Sequence, residues 1–243
     1  MDIRSELIAR VLEAILKLSS MKSPVTIDEL LEETLISREQ LEKILKILDL
    51  PPYELRLTEE ARIRAILRGL EFGVEGKYLA KYLSWKSFEK LIAEILRKAG
   101  YSSEWNLTIS SREGRIQIDI LAYYGNLMLL IDCKHWNRPP PPSAELKILE
   151  SQERRIIFLR KLIERMRFEG DLQTIYLVPV VLSLYQPSKP ILRGHIFSSI
   201  SSFKAALEYI QDAYFQLRHE RIRIPRAMSI STLVRRLKGA NAF

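Results

Sequence analysis

Apolar residues in the first seventy positions recur at helical intervals. Leu7, Ile8, Val11, Leu12, Ile15 and Leu16 form one stripe between Asp2 and Ser19, the pattern of a helix with a single buried face. Thr26 with Glu29 spells a capping box that opens a short helix to about Thr34. Ser37 with Gln40 repeats the device, opening a helix to Leu48 with Leu41, Ile44, Leu45 and Leu48 inward. Pro51-Pro52 breaks the pattern, and the alternation of Tyr53 to Leu57 predicts a short strand or wing. Thr58 then caps a helix reaching about Leu70.

Three helices, a wing and a closing helix predict an all-α winged helix-turn-helix domain over residues 1–75, with Ser37–Leu48 as its recognition helix. A linker-like patch, Glu71 to Gly76, and a short helix around Tyr78–Leu83 lead into residues 76–243. Ser84–Lys98 is amphipathic, with Trp85, Phe88, Leu91, Ile92, Ile95 and Leu96 on one face and Gly100 as its stop.

The period changes after that. Ile116, Ile118 and Ile120 alternate with Gln117, Asp119 and Leu121, a pleated strand; a turn at Tyr124-Gly125-Asn126 leads to the unbroken apolar run Leu127–Ile131, a strand buried on both faces. The Pro139–Pro142 run is a stiff connector, and Ser143 is placed to cap a long helix to about Phe168, with Gln152 on it either reaching inward to the sheet or, the favoured expectation for a polar residue, facing solvent. Further strands are expected at Thr174–Leu184, with Pro179 at a bulge or end, and at Ile191–Ile196, followed by a helix at Ser202–Leu217. The second domain therefore reads as an α/β sheet with helices on both faces.

Charge separates the same two parts. Residues 1–75 carry 11 Lys/Arg against 15 Asp/Glu, whereas residues 76–243 carry 27 against 15. The basic half points to a polyanionic partner; Arg154 and Arg155 on the long helix, and Arg221, Arg223, Arg226, Arg235 and Arg236 near the end, are candidate phosphate contacts. The first domain's acidity leaves its role open between DNA contact and a protein-interaction or dimerisation role. A single cysteine excludes a disulfide framework, no secretory leader opens the sequence, and no apolar run approaches the ~20 residues of a membrane span. A cytoplasmic protein is the expectation. Asn and Gln are scarce beside Lys, Arg, Glu and Ile, a balance expected of a thermophilic or archaeal source.

Polar residues stand where burial should exclude them: Asp132 and Lys134 at the end of the apolar strand, Asp119 one strand back. Alternation puts Asp132 and Lys134 on one face and Cys133 on the other. Two carboxylates and an ammonium at a buried hairpin end cost several kcal/mol unless they bind something, and a divalent metal would repay that. On the preceding helix, Glu94 lies on the polar face between Lys90 and Lys98, where a surface ion pair explains it. Glu89 borders the apolar stripe and is the better site candidate.

Together, Glu89 in SFEKLIAEILRKAGY, Asp119 in RIQIDIL and Asp132-Cys133-Lys134 resemble the PD-(D/E)xK nuclease superfamily, with its restriction-endonuclease-like fold. Mrr-type restriction nucleases are most similar, and archaeal Holliday junction resolvases share the core pattern. A winged helix ahead of the nuclease core also resembles the Mrr arrangement. Asp132 stands where the Mrr group often has glutamine, and Ile118 replaces the nominal proline. The resemblance implies a restriction-endonuclease-like mixed sheet flanked by helices and a Mg²⁺- or Mn²⁺-dependent deoxyribonuclease. Its metal ligands would be Asp119, Asp132, the Cys133 carbonyl and Glu89, directly or through water; Lys134 would orient or deprotonate the attacking water. His135 and Arg138 would be neighbouring phosphate contacts. The implied partners are DNA and a second copy of the chain, with no small-molecule cofactor and no membrane. The alternative is a catalytically silent nuclease fold that binds DNA.

Overall fold

The computed structural model describes residues 3–79, 82–112, 114–134 and 141–239. It divides into two compact units, residues 1–91 and 92–243.

The first unit holds α1 (Ser5–Met21), α2 (Ile27–Thr34), α3 (Arg38–Ile47) and α4 (Glu59–Glu71). Both capping boxes form: Thr26 accepts from the Glu29 amide and Ser37 from the Gln40 amide, while Glu29 and Gln40 reach back to the cap amides. Each box satisfies two amides that a bare helix start would leave open. Leu35 closes α2 in the left-handed region, at φ 52°. The strand expected at Tyr53–Leu57 reduces to one bridge, Val25 with Leu55. Of that segment only Leu55 is buried, and Glu54 and Arg56 pair with each other in solvent, so one residue anchors it. A 3-10 turn at Gly76–Tyr78 precedes α5 (Trp85–Lys98), a helix that runs across the division at Leu91 and Ile92.

The second unit is built on a mixed seven-stranded sheet. Its strands are β1 (Ser102–Ser111), β2 (Gly114–Tyr124), β3 (Leu127–Lys134), β4 (Leu172–Ser183), β5 (Ile191–Leu192), β6 (His195–Ser199) and β7 (Glu220–Pro225). The order is β1-β2-β3-β4-β6-β5, with β7 also on β4. β1, β2 and β3 form an antiparallel meander; β3, β4 and β6 are parallel. Gly125, at φ 59°, makes the tight β2–β3 turn. Parallel neighbours need a crossover, and α6 (Pro142–Arg165) supplies it between β3 and β4. The helices α7 (Phe203–Ala213) and α8 (Ile230–Gly239) complete the unit. One core cluster joins Ile118 and Leu130 of the sheet to Ile156, Leu159 and Ile163 of α6 and Leu233 and Leu237 of α8.

Several expectations change. β1 was not anticipated, although Leu107 and Ile109 alternate inward along it. Ser143 does not cap α6: Pro141 is the cap residue and makes no side-chain cap bond, and Pro142 starts the helix, as its fixed φ allows. Gln152 is not solvent-facing but fully buried. Pro179 sits at neither a bulge nor a strand end. It pairs with Leu130 in mid-strand, between the β4 residues that pair β7 (Leu172–Leu177) and those that pair β6 (Val180–Ser183). There that edge of β4 changes partner, and a residue without an N–H is tolerated. The basic C-terminal segment is also part of the core, through Ile222, Ile224, Leu233, Val234 and Leu237. No helix of the described residues is long and apolar enough to cross a membrane.

Candidate active site

The site grows from a local failure of sheet pairing. The β2–β3 ladder ends at Ile120 with Ile131, and the next positions in that register are Asp119 and Asp132. On the other side of β2, pairing steps from Trp105–Ile120 to Leu107–Ile118 and leaves out Asn106 opposite Asp119. Asn106 takes φ 51°, a conformation asparagine tolerates better than most residues. Asp119 is thus released from regular pairing on both edges. Its Oδ2 accepts the Cys133 amide at 2.8 Å, standing in for the lost ladder bond.

Asp132 and Lys134 share a face, as alternation requires, and Cys133 is fully buried on the other side. Both carboxylates are buried, Asp119 at 8% and Asp132 at 3% exposure. Two cations meet Asp132. Arg155 of α6 donates from Nη1 to Oδ1 at 3.0 Å, and Lys134 Nζ lies 2.8 Å from Oδ2. The lysine contact is close enough for an ion pair but not aligned as a hydrogen bond, so Oδ2 is a buried oxygen holding none. One turn before Arg155, Gln152 donates from Nε2 to Leu130 O at 3.2 Å and Val180 O at 2.9 Å, tying α6 to β3 and β4. Its Oε1 is a second buried acceptor with no hydrogen bond.

The arrangement suits a hard cation in its donor chemistry: buried carboxylate oxygens, one without a hydrogen bond. Among the described residues, however, no group of three or more His, Cys, Asp or Glu side chains is placed to hold a metal ion. Glu89, on the part of α5 within the first unit, is buried and accepts from Trp85 Nε1 at 2.6 Å. Burial raises the Glu89 carboxyl pKa, and the indole hydrogen bond opposes that shift. Glu94 pairs with Arg97 on the helix surface, and the charges of Arg97 and Lys98 both favour its ionised form; Lys90 pairs with Glu59.

The other candidates are dispersed. His135 and Arg138 lie outside the described residues. Arg154 is exposed on α6 beside Arg155. Arg221 and Arg223 are exposed on β7, opposite Tyr176 and Thr174. Lys134 is in register with Ser183, nine residues further along β4, about 30 Å at 3.3 Å per residue. Arg226 pairs with Asp171 at 2.9 Å, and Arg235 and Arg236 are exposed on α8. Reading the sequence missed Arg155 as the partner of Asp132. The place of Arg155 on the long helix that follows the apolar strand was the available signal.

A mixed sheet whose parallel strands are joined by a crossover helix, with two buried carboxylates and a lysine at one strand end, defines a restriction-endonuclease-like fold. Residues 80–151 match the restriction endonuclease family model Mrr_cat, a segment that carries Asp119, Asp132, Lys134 and Glu89. That segment, under a third of the chain, is similar to restriction endonucleases, and the match supports a restriction-endonuclease-like nuclease. No curated protein matches the chain. Among solved structures, the crystal structure of the protein of unknown function AF1548 is similar over 60% of this chain at 15% identity and a TM-score of 0.28. The chain spans 62% of that protein's length, and a likeness of this degree bears on neither fold nor function.

Proposed function

We propose that the protein is a metal-dependent DNA endonuclease that hydrolyses phosphodiester bonds at the Asp119–Asp132 corner. The observation that carries this reading is the pair of buried carboxylates where the β2–β3 ladder ends, with Lys134 Nζ 2.8 Å from one of them. Asp119, Asp132 and the Cys133 carbonyl would hold Mg²⁺ or Mn²⁺. When bound, such an ion lowers the pKa of water and offsets charge developing on the phosphate. Lys134 orients the attacking water and stabilises the transition state's added charge. Arg155 neutralises Asp132 in the free protein and faces the substrate phosphate when that carboxylate is engaged elsewhere.

The first 75 residues act as a winged helix-turn-helix module. Two of the three α3 cations, Arg38 and Lys43, are paired with Asp28 and Glu39, which favours a protein-interaction or dimerisation role over phosphate contact. A homodimer would bring together the two sites needed to cut both strands of a duplex.

Cleavage of linear, branched and methylated DNAs with Mg²⁺ or Mn²⁺, comparing the wild type with Asp132→Ala, tests the proposal. Metal-dependent cutting absent from the variant is expected, and the preferred substrate separates restriction from repair or recombination. A second reading, a silent nuclease fold that binds DNA, draws support from the Arg155–Asp132 pair, which supplies a cation without any metal. DNA binding with no cutting by either protein would select it.

A further inference from the structure

The β1–β2 pair changes face partway along its length. In a regular strand, residues three apart point to opposite faces. Yet Ile118 and Leu121 of β2 belong to the same core cluster, against α6 and α8. The neighbouring strand does the same. Leu107 of β1 lies in that cluster, and Glu104, three residues earlier, accepts a hydrogen bond from the Ser231 hydroxyl of α8. No residue is inserted in either strand, because pairing resumes at Leu107 with Ile118 without a slip. The inversion falls where the register from Ser102 to Ser111 skips a pair, Asn106 opposite Asp119. At φ 51°, Asn106 is the one non-glycine residue of either strand, among the described residues, in the left-handed region. Its side chain is exposed and makes no hydrogen bond to a described residue, so the position supplies a backbone conformation, not a contact.

From these observations we infer that Asn106 is a positioning residue for Asp119. Its left-handed backbone turns the paired strands at that point and aims the Asp119 carboxylate across the end of β3, where Oδ2 accepts the Cys133 amide at 2.8 Å. Counted forward from Ile118, Asp119 belongs to the face opposite Asp132. Counted back from Leu121, which pairs Leu130, it belongs to the face of Asp132. The inversion thus decides whether the two carboxylates can meet on one side of the sheet. Local irregularities of this kind re-aim side chains beside active sites, and asparagine is among the few residues that enter the left-handed region at low cost. β1 lies at the edge of the sheet, where ordinary strand packing favours a β-branched residue over asparagine. The catalytic consequence rests on the proposed metal site, since Asp119 and Asp132 hold an ion together only when they share that side.

The test is hydrogen exchange of the Cys133 amide, followed by NMR on the full chain without metal. The wild type, Asn106→Gly, Asn106→Val and Asp119→Ala are compared, with the Leu130 amide of the same strand as control. Asp119→Ala marks the rate of a Cys133 amide that has lost its acceptor. Glycine enters the left-handed region freely, so Asn106→Gly should exchange within about threefold of the wild type. Valine is held out of that region by its branched Cβ. Asn106→Val should therefore speed Cys133 about tenfold, toward the Asp119→Ala rate, with Leu130 changed less than about twofold. Asn106→Ala should fall between glycine and valine, and it carries the comparison if valine prevents folding. This order reverses that of an ordinary edge strand, where valine strengthens pairing and glycine weakens it. Slow exchange kept in both Asn106→Val and Asn106→Ala, or equal acceleration of Leu130, leaves Asn106 a merely structural residue and overturns the inference. A glycine variant as fast as valine assigns the effect to the side-chain amide and also overturns it. Failure of the nuclease reading registers separately, as absence of metal-dependent cutting, and leaves this exchange comparison intact.

Discussion

Asp132 and Glu145 are both buried to 3% exposure, yet the protein treats them in opposite ways. Glu145, in the first turn of α6, accepts the Ser188 amide on Oε1 at 3.0 Å and the Ser188 hydroxyl on Oε2. Neutral donors satisfy both oxygens, and the carboxylate anchors the loop after β4 to the helix. Asp132 instead meets two full charges, Arg155 and Lys134, and still has one oxygen with no hydrogen bond. A carboxylate kept for structure ends with its lone pairs used; one held by charged side chains with an oxygen left over keeps donor capacity for an exchangeable partner. Burial alone therefore does not mark a site. The identity and geometry of the donors do.

The sharpest way to break the contrast is to remove each carboxylate. Asp132→Ala should abolish cleavage and cost about 1–3 kcal/mol of stability, because the cations it leaves behind are about a quarter exposed and can partly resolvate. Glu145→Gln should keep cleavage and cost about 1 kcal/mol, read from urea unfolding. A loss of cutting in Glu145→Gln equal to that in Asp132→Ala would erase the distinction.

Gln152 probes the scaffold that sets Arg155. Ala at this position removes two hydrogen bonds and leaves a cavity, an expected loss of about 2–3 kcal/mol. Leu fills the space and also deletes the unsatisfied Oε1, so it should cost about 1 kcal/mol less than Ala. If Ala and Leu unfold at the same urea concentration, neither packing nor the orphaned acceptor matters there.

His195 supplies a buried ionisable group to set beside the carboxylates. Burial lowers its pKa below the ordinary histidine value, with Arg218 adding in the same direction, while the Arg193 carbonyl and Glu153 oppose it. The unfolded chain then binds a proton more readily than the folded one. Stability is full above about pH 6.5 and declines as pH falls from there through the folded pKa. His195→Asn should flatten that decline in melting temperature between pH 7 and 5; an unchanged slope would assign it to other groups. Smallest of all, Asp171→Asn, which breaks the exposed pair with Arg226, should change stability by less than about 0.5 kcal/mol.

Much of this was legible in the sequence because local rules and the fold agree. Thr26–Glu29 and Ser37–Gln40 are local devices, and they formed as spelled. The alternation before Asp119 and the apolar run before Asp132 fixed both strands and the shared face of Asp132 and Lys134. What escaped depends on contacts distant in the chain. Gln152 is polar on a mixed helix face, and only the carbonyls of Leu130 and Val180 explain its burial. Pro179 violates a strand rule that the change from β7 to β6 relaxes. Asn106 looks like an ordinary polar strand residue until the register passes it by. Arg155 reads as one arginine among many because its partner is 23 positions away.

The most direct measurement is Mn²⁺ binding, followed by electron paramagnetic resonance, for the wild type, Asp119→Ala, Asp132→Ala and Glu145→Gln. A saturable site present in the wild type and Glu145→Gln and lost in both aspartate variants is expected. Equal Mn²⁺ binding by all four proteins, or none by any, would contradict the assignment of the Asp119–Asp132 corner as the metal-dependent centre.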